Sequence, residues 1–202
     1  MAVLSAMLAT VLLMGLGMAV VLMGTAESEL AAHDRAARLL REASLAAAHL
    51  AVADLRQQPS WSAVLAAGAA PLSAAPGRAV DATATPAPPW GGPPLDLRRL
   101  TVDVAAEADT GSGDPQAWRL YESGSLPGLV PGASVPVYVA AWVADDPSDG
   151  DGDPQVDSNG ILWVRAAAYG PGSARAVTAV SVQKSPPPAG PAVRILTIRP
   201  QP

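Results

Sequence analysis

The chain has 202 residues, half of them hydrophobic, with 18 acidic and 13 basic side chains and a formal charge of −5. Its basic residues form no Lys- or Arg-rich patch, which argues against nucleic-acid binding. The absence of cysteine excludes a disulfide framework, a thiolate metal site and a cysteine nucleophile.

The N-terminal segment MAVLSAMLATVLLMGLGMAVVLMGTA, residues 1–26, contains no charged side chain. At roughly 1.5 Å per residue, a helix of this length reaches about 39 Å and can cross a hydrocarbon core of roughly 30 Å. A cleaved secretory signal is the competing interpretation, but its apolar part spans only about 7–15 residues and follows basic residues. We therefore predict a retained transmembrane helix over residues 1–26.

Residues 27–58, ESELAAHDRAARLLREASLAAAHLAVADLRQQ, keep the composition of a helix but become amphipathic. They contain neither Pro nor Gly, and Pro59 then ends the pattern. We predict one continuous helix whose second part is the spine of a water-exposed head. The stripe predicted to face that head contains Leu30, Ala37, Leu39 or Leu40, Ser44, Leu45, Ala48, Val52 and Leu55.

The remainder of the chain divides into a linker, a β-rich head and a tail. Residues 59–101 are interpreted as an apolar turn and a Pro-rich linker, and PPLDLRRLTVDV near their end predicts a turn of helix followed by a strand. Residues 102–184 form the predicted head, because a loop-to-strand stretch, GDPQAWRLYESGSL, precedes three β-branched or aromatic runs separated by turn formers. This pattern predicts an antiparallel meander. In the Pro-rich tail, 185–202, the apolar run Val193 to Ile198 either adds an edge strand or is disordered.

Six aspartates lie between the first two of these three runs, and without them the formal charge would be about +1. Four of them fall at positions 1, 3, 5 and 9 of a calcium-type loop, where alternate residues turn oxygen ligands inward. These are Asp149, Asp151, Asp153 and Asp157. Pro154 and Gly160 stand where an EF-hand requires Gly and a bidentate Glu, so a Ca²⁺ site here needs a different oxygen cage. The residues that could complete it are Asp145, Asp146 and Asn159. The alternative is a solvated loop, since Asp, Gly, Pro, Ser and Asn are common turn formers.

Motifs for catalysis are absent from the sequence. It contains no G-x-S-x-G, H-E-x-x-H, Walker or dinucleotide-binding pattern. We therefore expect a non-enzymatic protein.

The order of these features resembles the PilX-like minor pilins of type IV pilus assembly. TAESELAAHDR and REASLAAAHLAVADL are similar to the family's membrane exit and amphipathic spine, and PSWSAVLAAG is similar to its tryptophan-containing segment after the helix. Three further segments of this chain are similar to consecutive blocks of the family's head. They are PLDLRRLT, GDPQAWRLY and YVAAWVADDPSDGDGDPQVDSNGILWVRAAAYGPGSARAVTAVSVQK. Ser5 stands where the family carries an acidic residue, if Met1 is the first mature residue.

The resemblance implies an α+β, type IV pilin-like lollipop: a long N-terminal helix, half in the membrane and half amphipathic, carrying a C-terminal antiparallel β-sheet head. It implies a minor pilin that takes part in pilus assembly or priming near the tip. The implied partners are other minor and major pilins, a tip adhesin, the inner-membrane assembly machinery and, before assembly, membrane lipid. The implied location is the bacterial inner membrane with a periplasmic head, and later the pilus on the cell surface. Two alternatives remain: a minor pseudopilin of type II secretion, and a single-span, calcium-dependent binding protein outside any filament.

Overall fold

The computed structural model describes residues 2–67, 83–107, 118–129, 135–184 and 193–201. It confirms the α+β class, because a long N-terminal helix is followed by a five-stranded antiparallel sheet. The helices are α1 (Ala2–Leu55), α2 (Trp61–Ala67), α3 (Leu97–Glu107) and α4 (Leu126–Leu129). The strands are β1 (Arg119–Ser125), β2 (Tyr138–Asp145), β3 (Ile161–Tyr169), β4 (Arg175–Lys184) and β5 (Val193–Gln201). The chain divides into two units, Met1–Leu39 and Leu40–Pro202.

The first unit is the apolar part of α1 and the charged turns that follow it. Its large apolar side chains are exposed around the whole helix, and none of its most apolar window is buried. Thr10 and Thr25 donate their hydroxyl protons to carbonyl groups one turn earlier in the same helix, so these polar atoms are satisfied without water. Among the described residues, α1 is the one helix long and apolar enough to span a membrane, which makes it compatible with a single-pass anchor.

In the second unit, the last four turns of α1 bury one stripe of mostly small side chains. Its members are Leu40, Ala43, Ser44, Ala47, Ala48, Ala51, Val52, Asp54 and Leu55. The three- and four-residue spacing is that of a helix packed on a flat surface, and the alanines let it approach the sheet closely. The predicted stripe was partly wrong, because Leu30 is 65% exposed and Leu45 is 37% exposed. The helix ends at Leu55, three residues before the predicted limit at residue 58, and the indole nitrogen of Trp61 donates a 3.0 Å hydrogen bond to the carbonyl oxygen of Leu55.

The strands follow chain order across the sheet, β1-β2-β3-β4-β5, with antiparallel neighbours throughout. This confirms the predicted meander. The β3–β4 turn contains Gly172 and Ser173, both at positive φ, and the preceding Gly170 admits the side chain of Leu40. A Cβ atom at Gly170 would lie 3.2 Å from Leu40 Cδ2, so α1 and the sheet could not approach as closely with a larger residue.

The other face of the sheet is covered by α3 and by part of residues 83–95. Its buried core consists of Leu97, Val104, Trp118, Leu120, Tyr138, Ala140, Trp142, Ala144, Ala167, Tyr169 and Val177. The prediction of a strand for TVDV was wrong, because these residues lie inside α3. Asp96 begins that helix by accepting a 3.0 Å hydrogen bond from the backbone N–H of Arg99.

A cluster of charged side chains ties the end of α3 to β3 and β4. The buried Arg165 donates to the Val104 carbonyl oxygen at 2.9 Å and to Glu107 at 3.1 Å. Arg175 donates to both carboxylate oxygens of Glu107. The carboxylate therefore compensates two guanidinium groups on neighbouring strands.

The apolar run in the tail forms β5, so the edge-strand alternative is the one observed. β5 pairs with β4 through a bulge at Leu196: Val182 lies opposite Ile195, whereas the next β4 residue, Ser181, lies opposite Thr197. Every described side chain from Leu196 to Pro200 is exposed.

Candidate functional site

The aspartate-rich segment forms the β2–β3 connection, which we call the aspartate loop (residues 146–160, with Asp145 ending β2). Gly152 and Gly160 adopt positive φ, the conformation that glycine takes at least cost. Gly160 also receives a 2.8 Å hydrogen bond from the Lys184 N–H on its carbonyl oxygen. The base of the loop is therefore fixed against the end of β4.

Most of the loop carboxylates accept hydrogen bonds from the loop itself. Asp151 Oδ1 accepts from the Asp153 N–H at 2.9 Å, and Asp153 Oδ1 accepts from the Gln155 N–H at 3.0 Å. Asp149 accepts from both the N–H and the hydroxyl group of Ser158. These are the local turns that make aspartate common in loops, so part of the acidity has a conformational role.

Asp146 and Asn159 close the loop across its base. Asn159 donates a 3.1 Å side-chain hydrogen bond to Asp146 Oδ2, and Asp146 Oδ1 accepts from the Ser148 N–H at 3.1 Å. Asn159 Oδ1 accepts from the Ile161 N–H at 2.7 Å. The oxygen atoms of both residues are thus committed to holding the loop closed.

Three carboxyl groups converge on one point. One carboxylate oxygen from each of Asp145, Asp149 and Asp151 lies within 4.8 Å of the other two. Asp145 Oδ1 is buried and accepts no hydrogen bond within the described residues. At this separation each ionised pair repels by about 1 kcal/mol in water and by roughly 3 kcal/mol at an effective dielectric constant of about 20. A divalent cation would relieve that repulsion.

The carboxyl groups at this site differ in pKa. Burial, reinforced by the charges of Asp149, Asp157 and Asp151, raises the pKa of Asp145 to about 7. The hydrogen bonds from Ser158 lower the pKa of Asp149, which therefore carries a charge near neutrality. Burial raises the pKa of Asp157 as well.

The aspartate loop is anchored to α2 and to the segment before it. Ser62 Oγ accepts a 3.1 Å hydrogen bond from the Asp157 N–H and lies 3.4 Å from the Asp157 carbonyl oxygen, to which it donates. The Lys184 ammonium group donates to the Pro59 carbonyl oxygen at 2.9 Å and lies 5.7 Å from the centre of the Trp61 ring. The short helix α2 thus supports the loop, and no sequence pattern predicts this contact.

The structure regroups the predicted metal ligands. Asp149 and Asp151 belong to the three-carboxyl cluster, and Asp145 supplies its third member. Asp153 and Asp157 do not belong to it; their carboxylate oxygens accept hydrogen bonds from the Gln155 and Gly160 N–H groups. Asp145 comes close to Asp149 and Asp151 because a turn follows β2. In this turn the backbone carbonyl oxygen of Asp146 accepts a 2.8 Å hydrogen bond from the Asp149 N–H.

Carboxylate oxygens are the ligands that calcium prefers, and three of them account for part of a shell of roughly six to eight. The buried oxygen atom of Asp145 and the convergence of the three groups form a cluster that could hold a metal ion. Comparisons of the chain with protein families, with curated proteins and with solved structures found no match.

Proposed function

We propose that the chain is a non-enzymatic minor pilin that takes part in type IV pilus assembly or priming near the tip. The apolar part of α1 holds it in the bacterial inner membrane before assembly, with the head in the periplasm. It later joins other minor and major pilins through the same helix and reaches the cell surface next to a tip adhesin. The inner-membrane assembly machinery is the remaining proposed partner.

The observation that carries this proposal is the change of surroundings along one unbroken helix. α1 runs from Ala2 to Leu55; its first half exposes apolar side chains in every direction, and its last turns are buried against a sheet. A helix that is apolar all round requires an apolar environment, which lipid supplies before assembly and neighbouring helices supply in a filament. Moving from one to the other exchanges apolar contacts for apolar contacts, so extraction from the membrane need not expose the helix to water.

Filament composition tests the proposal. In the native host, the chain is expected in filaments sheared from the cell surface, and deletion of its gene is expected to reduce filament number. Detection of the chain only in the membrane fraction, with filament number unchanged in the deletion strain, would contradict the proposal and favour an anchored binding protein.

Two matched substitutions isolate the role of the apolar helix. Leu12 and Leu30 are 63% and 65% exposed on the same helix, but only Leu12 lies within the uncharged run. Leu12→Arg places a charge where lipid or helices are proposed, at a cost of about 3 kcal/mol, and should reduce membrane integration and filament incorporation. Leu30→Arg should leave both unchanged. Equal behaviour of the two variants would count against the proposal.

As a second property we propose that the head binds Ca²⁺ through Asp145, Asp149 and Asp151. The convergence of their oxygens within 4.8 Å supports this. In that state the ion would offset two negative charges of the cluster and tie the aspartate loop to the end of β2. This property would serve a pilin head and equally the alternative of a calcium-dependent binding protein anchored by one span.

Asp151 and Asp153 supply a matched test of the calcium proposal. Both are exposed and both accept one backbone N–H from two residues later, but only Asp151 belongs to the cluster. Calorimetry of the full chain in detergent, after treatment with EDTA, should show Ca²⁺ binding that Asp151→Asn weakens by about tenfold or more and Asp153→Asn largely preserves. Absence of a binding heat and of thermal stabilisation in the unsubstituted chain would eliminate the ion.

A further inference from the structure

β4 and β5 together form a basic surface at one edge of the sheet. Their sequences contain Arg175, Lys184, Arg194 and Arg199 and no acidic residue. Arg175 is paired with Glu107, and Lys184 donates to the backbone carbonyl of Pro59. Within the described residues, Arg194 and Arg199 take part in no ion pair.

The bulge at Leu196 places both of these arginines on the same face. Arg194 lies opposite Gln183 and Arg199 lies opposite Ala179, so each shares the side of β4 that carries Val177. In a regular strand without the bulge, two positions five apart point to opposite faces. The resulting surface, which we call the basic face, consists of Ala179, Ser181, Gln183, Arg194, Thr197 and Arg199.

The basic face is open and shallow. Its three β4 members are partly exposed and its three β5 members are exposed. The centre holds two small side chains, Ser181 and Thr197, whose hydroxyl oxygens lie 2.7 Å apart. The arginines flank this centre at register positions four residues apart on β4, which corresponds to about 13 Å along the strands. An exposed segment with several carboxylates matches such a surface in charge.

A surface of that chemistry exists on the same chain. The aspartate loop carries five aspartates and no basic residue between positions 146 and 160, and Asp151 and Asp153 are exposed. The alternative use of β5, pairing with β5 of a second copy, is disfavoured by charge. An antiparallel pair covering the strand would set Arg194 of one copy opposite or beside Arg199 of the other, and like charges at such positions repel.

We propose that the basic face binds the aspartate loop of a second copy of this chain. The two surfaces differ: a two-fold dimer would use both pairs reciprocally, whereas a single head-to-tail contact leaves one of each unused at the ends. Such contacts continue into rings or open helical arrays. The proposal does not depend on the apolar helix or on membership of a pilus.

Self-association of the full chain in nonionic detergent, with EDTA present to exclude Ca²⁺ from the loop, tests this directly. Sedimentation should show association at low salt that weakens as salt is added, because the contact is between exposed charges. Arg194→Glu with Arg199→Glu should weaken it by about tenfold or more, as should Asp151→Asn with Asp153→Asn, in which the amide oxygens can still accept the loop's own hydrogen bonds. Asp34→Asn with Glu42→Gln changes the net charge by the same amount as Asp151→Asn with Asp153→Asn, and it should not affect association.

Mixing reversed variants distinguishes this contact from general charge effects and from association of the apolar helices in a micelle. The Arg→Glu pair and a variant carrying Asp151→Lys and Asp153→Lys should each associate poorly alone but should associate when mixed. Because the chain has no cysteine, Thr197→Cys in one copy and Asp153→Cys in another should form a disulfide only in the mixture.

Three results would overturn the proposal. They are a monomeric wild-type chain at low salt, reversed variants that associate like the wild type, and folded reversed variants whose mixture does not recover association. A Thr197→Cys homodimer would instead indicate pairing of two basic faces. Each of these results leaves the filament proposal standing, since that proposal is decided by the composition of sheared filaments.

Discussion

The hydroxyl oxygens of Ser44 in α1 and Thr178 in β4 lie 2.8 Å apart in the buried interface between helix and sheet. Ser44 Oγ also donates to the Arg41 carbonyl oxygen at 2.9 Å, which leaves Thr178 as the donor in the contact between the two side chains. Both residues are nearly inaccessible to solvent, so each hydroxyl group depends on this arrangement for its hydrogen bonding.

A double-mutant cycle on this pair should show coupling. Thr178→Val and Ser44→Ala should each lower the free energy of unfolding by about 1–2 kcal/mol. Each substitution removes the hydrogen bond between the two side chains and leaves the other hydroxyl group buried without that partner. The double variant should lose less than the sum, by about 1 kcal/mol. Urea unfolding of the full chain in detergent measures this. The exposed Ser181 and Thr197 pair, of the same chemistry, is the control and should show almost no coupling; additive losses at Ser44 and Thr178 would contradict the expectation.

Gly170 should be sensitive to the addition of a single methyl group. Its φ of −132° is accessible to any residue, so the restriction is the 3.2 Å distance from a new Cβ atom to Leu40 Cδ2. Gly170→Ala should lower the unfolding free energy by about 1 kcal/mol. Gly150→Ala, where nothing lies within 4 Å, should have almost no effect. If Gly170→Ala is destabilising by contact, it should add no further loss in a chain that already carries Leu40→Ala.

Glu107 should stabilise the head in a pH-dependent manner. Its hydrogen bonds to Arg175 and the nearby positive charges lower its pKa, so its contribution is present above the unfolded value of 4.5 and is lost as the pH falls through the folded value. Glu107→Gln should cost about 2 kcal/mol at pH 7, chiefly because the buried Arg165 loses a charged partner. The difference from the wild type should disappear near pH 2. An equal loss from the exposed Glu42→Gln would show that net charge alone is responsible.

Asp145 should have the opposite dependence in the absence of metal. Its folded pKa of about 7 lies above the unfolded value of 3.8, so the folded state favours the protonated carboxyl group, and stability should fall as the pH rises from about 4 to 7. Asp145→Asn mimics the neutral form. In EDTA its melting temperature should exceed that of the wild type by about 3 °C at pH 8 and should match it at pH 3. Wild-type stability that is constant over this range would contradict the assignment.

The architecture of the chain was accessible from local patterns. The uncharged run, the end of α1 before Pro59 and the three strands after residue 135 follow from composition and turn chemistry. α3 was missed because the β-branched residues of TVDV favour a strand, although Leu97, Leu100 and Val104 have helical spacing behind the N-cap Asp96. Packing of these residues against the sheet decided the outcome.

The candidate site was predicted only in part. Spacing along the loop selected Asp149 and Asp151, but it also selected Asp153 and Asp157, whose carboxylate oxygens lie outside the three-carboxyl cluster. Asp145 joins the cluster because the chain reverses immediately after β2, in the turn that the Asp149 N–H closes on the Asp146 carbonyl oxygen. The later part of the loop is supported by the contact between Asp157 and Ser62. Contacts between residues 95 positions apart leave no periodic trace in a sequence.

One unpaired residue in the last strand decides what the edge of the sheet presents to another molecule. If Leu196 instead paired regularly with β4, without the bulge, one half of β5 would keep its register and the other half would turn over. Arg199 would then change sides with Ile198, and the two guanidinium groups would no longer cooperate. Loss of the bulge would thus abolish a recognition surface while every residue, every charge and every strand of the head is retained.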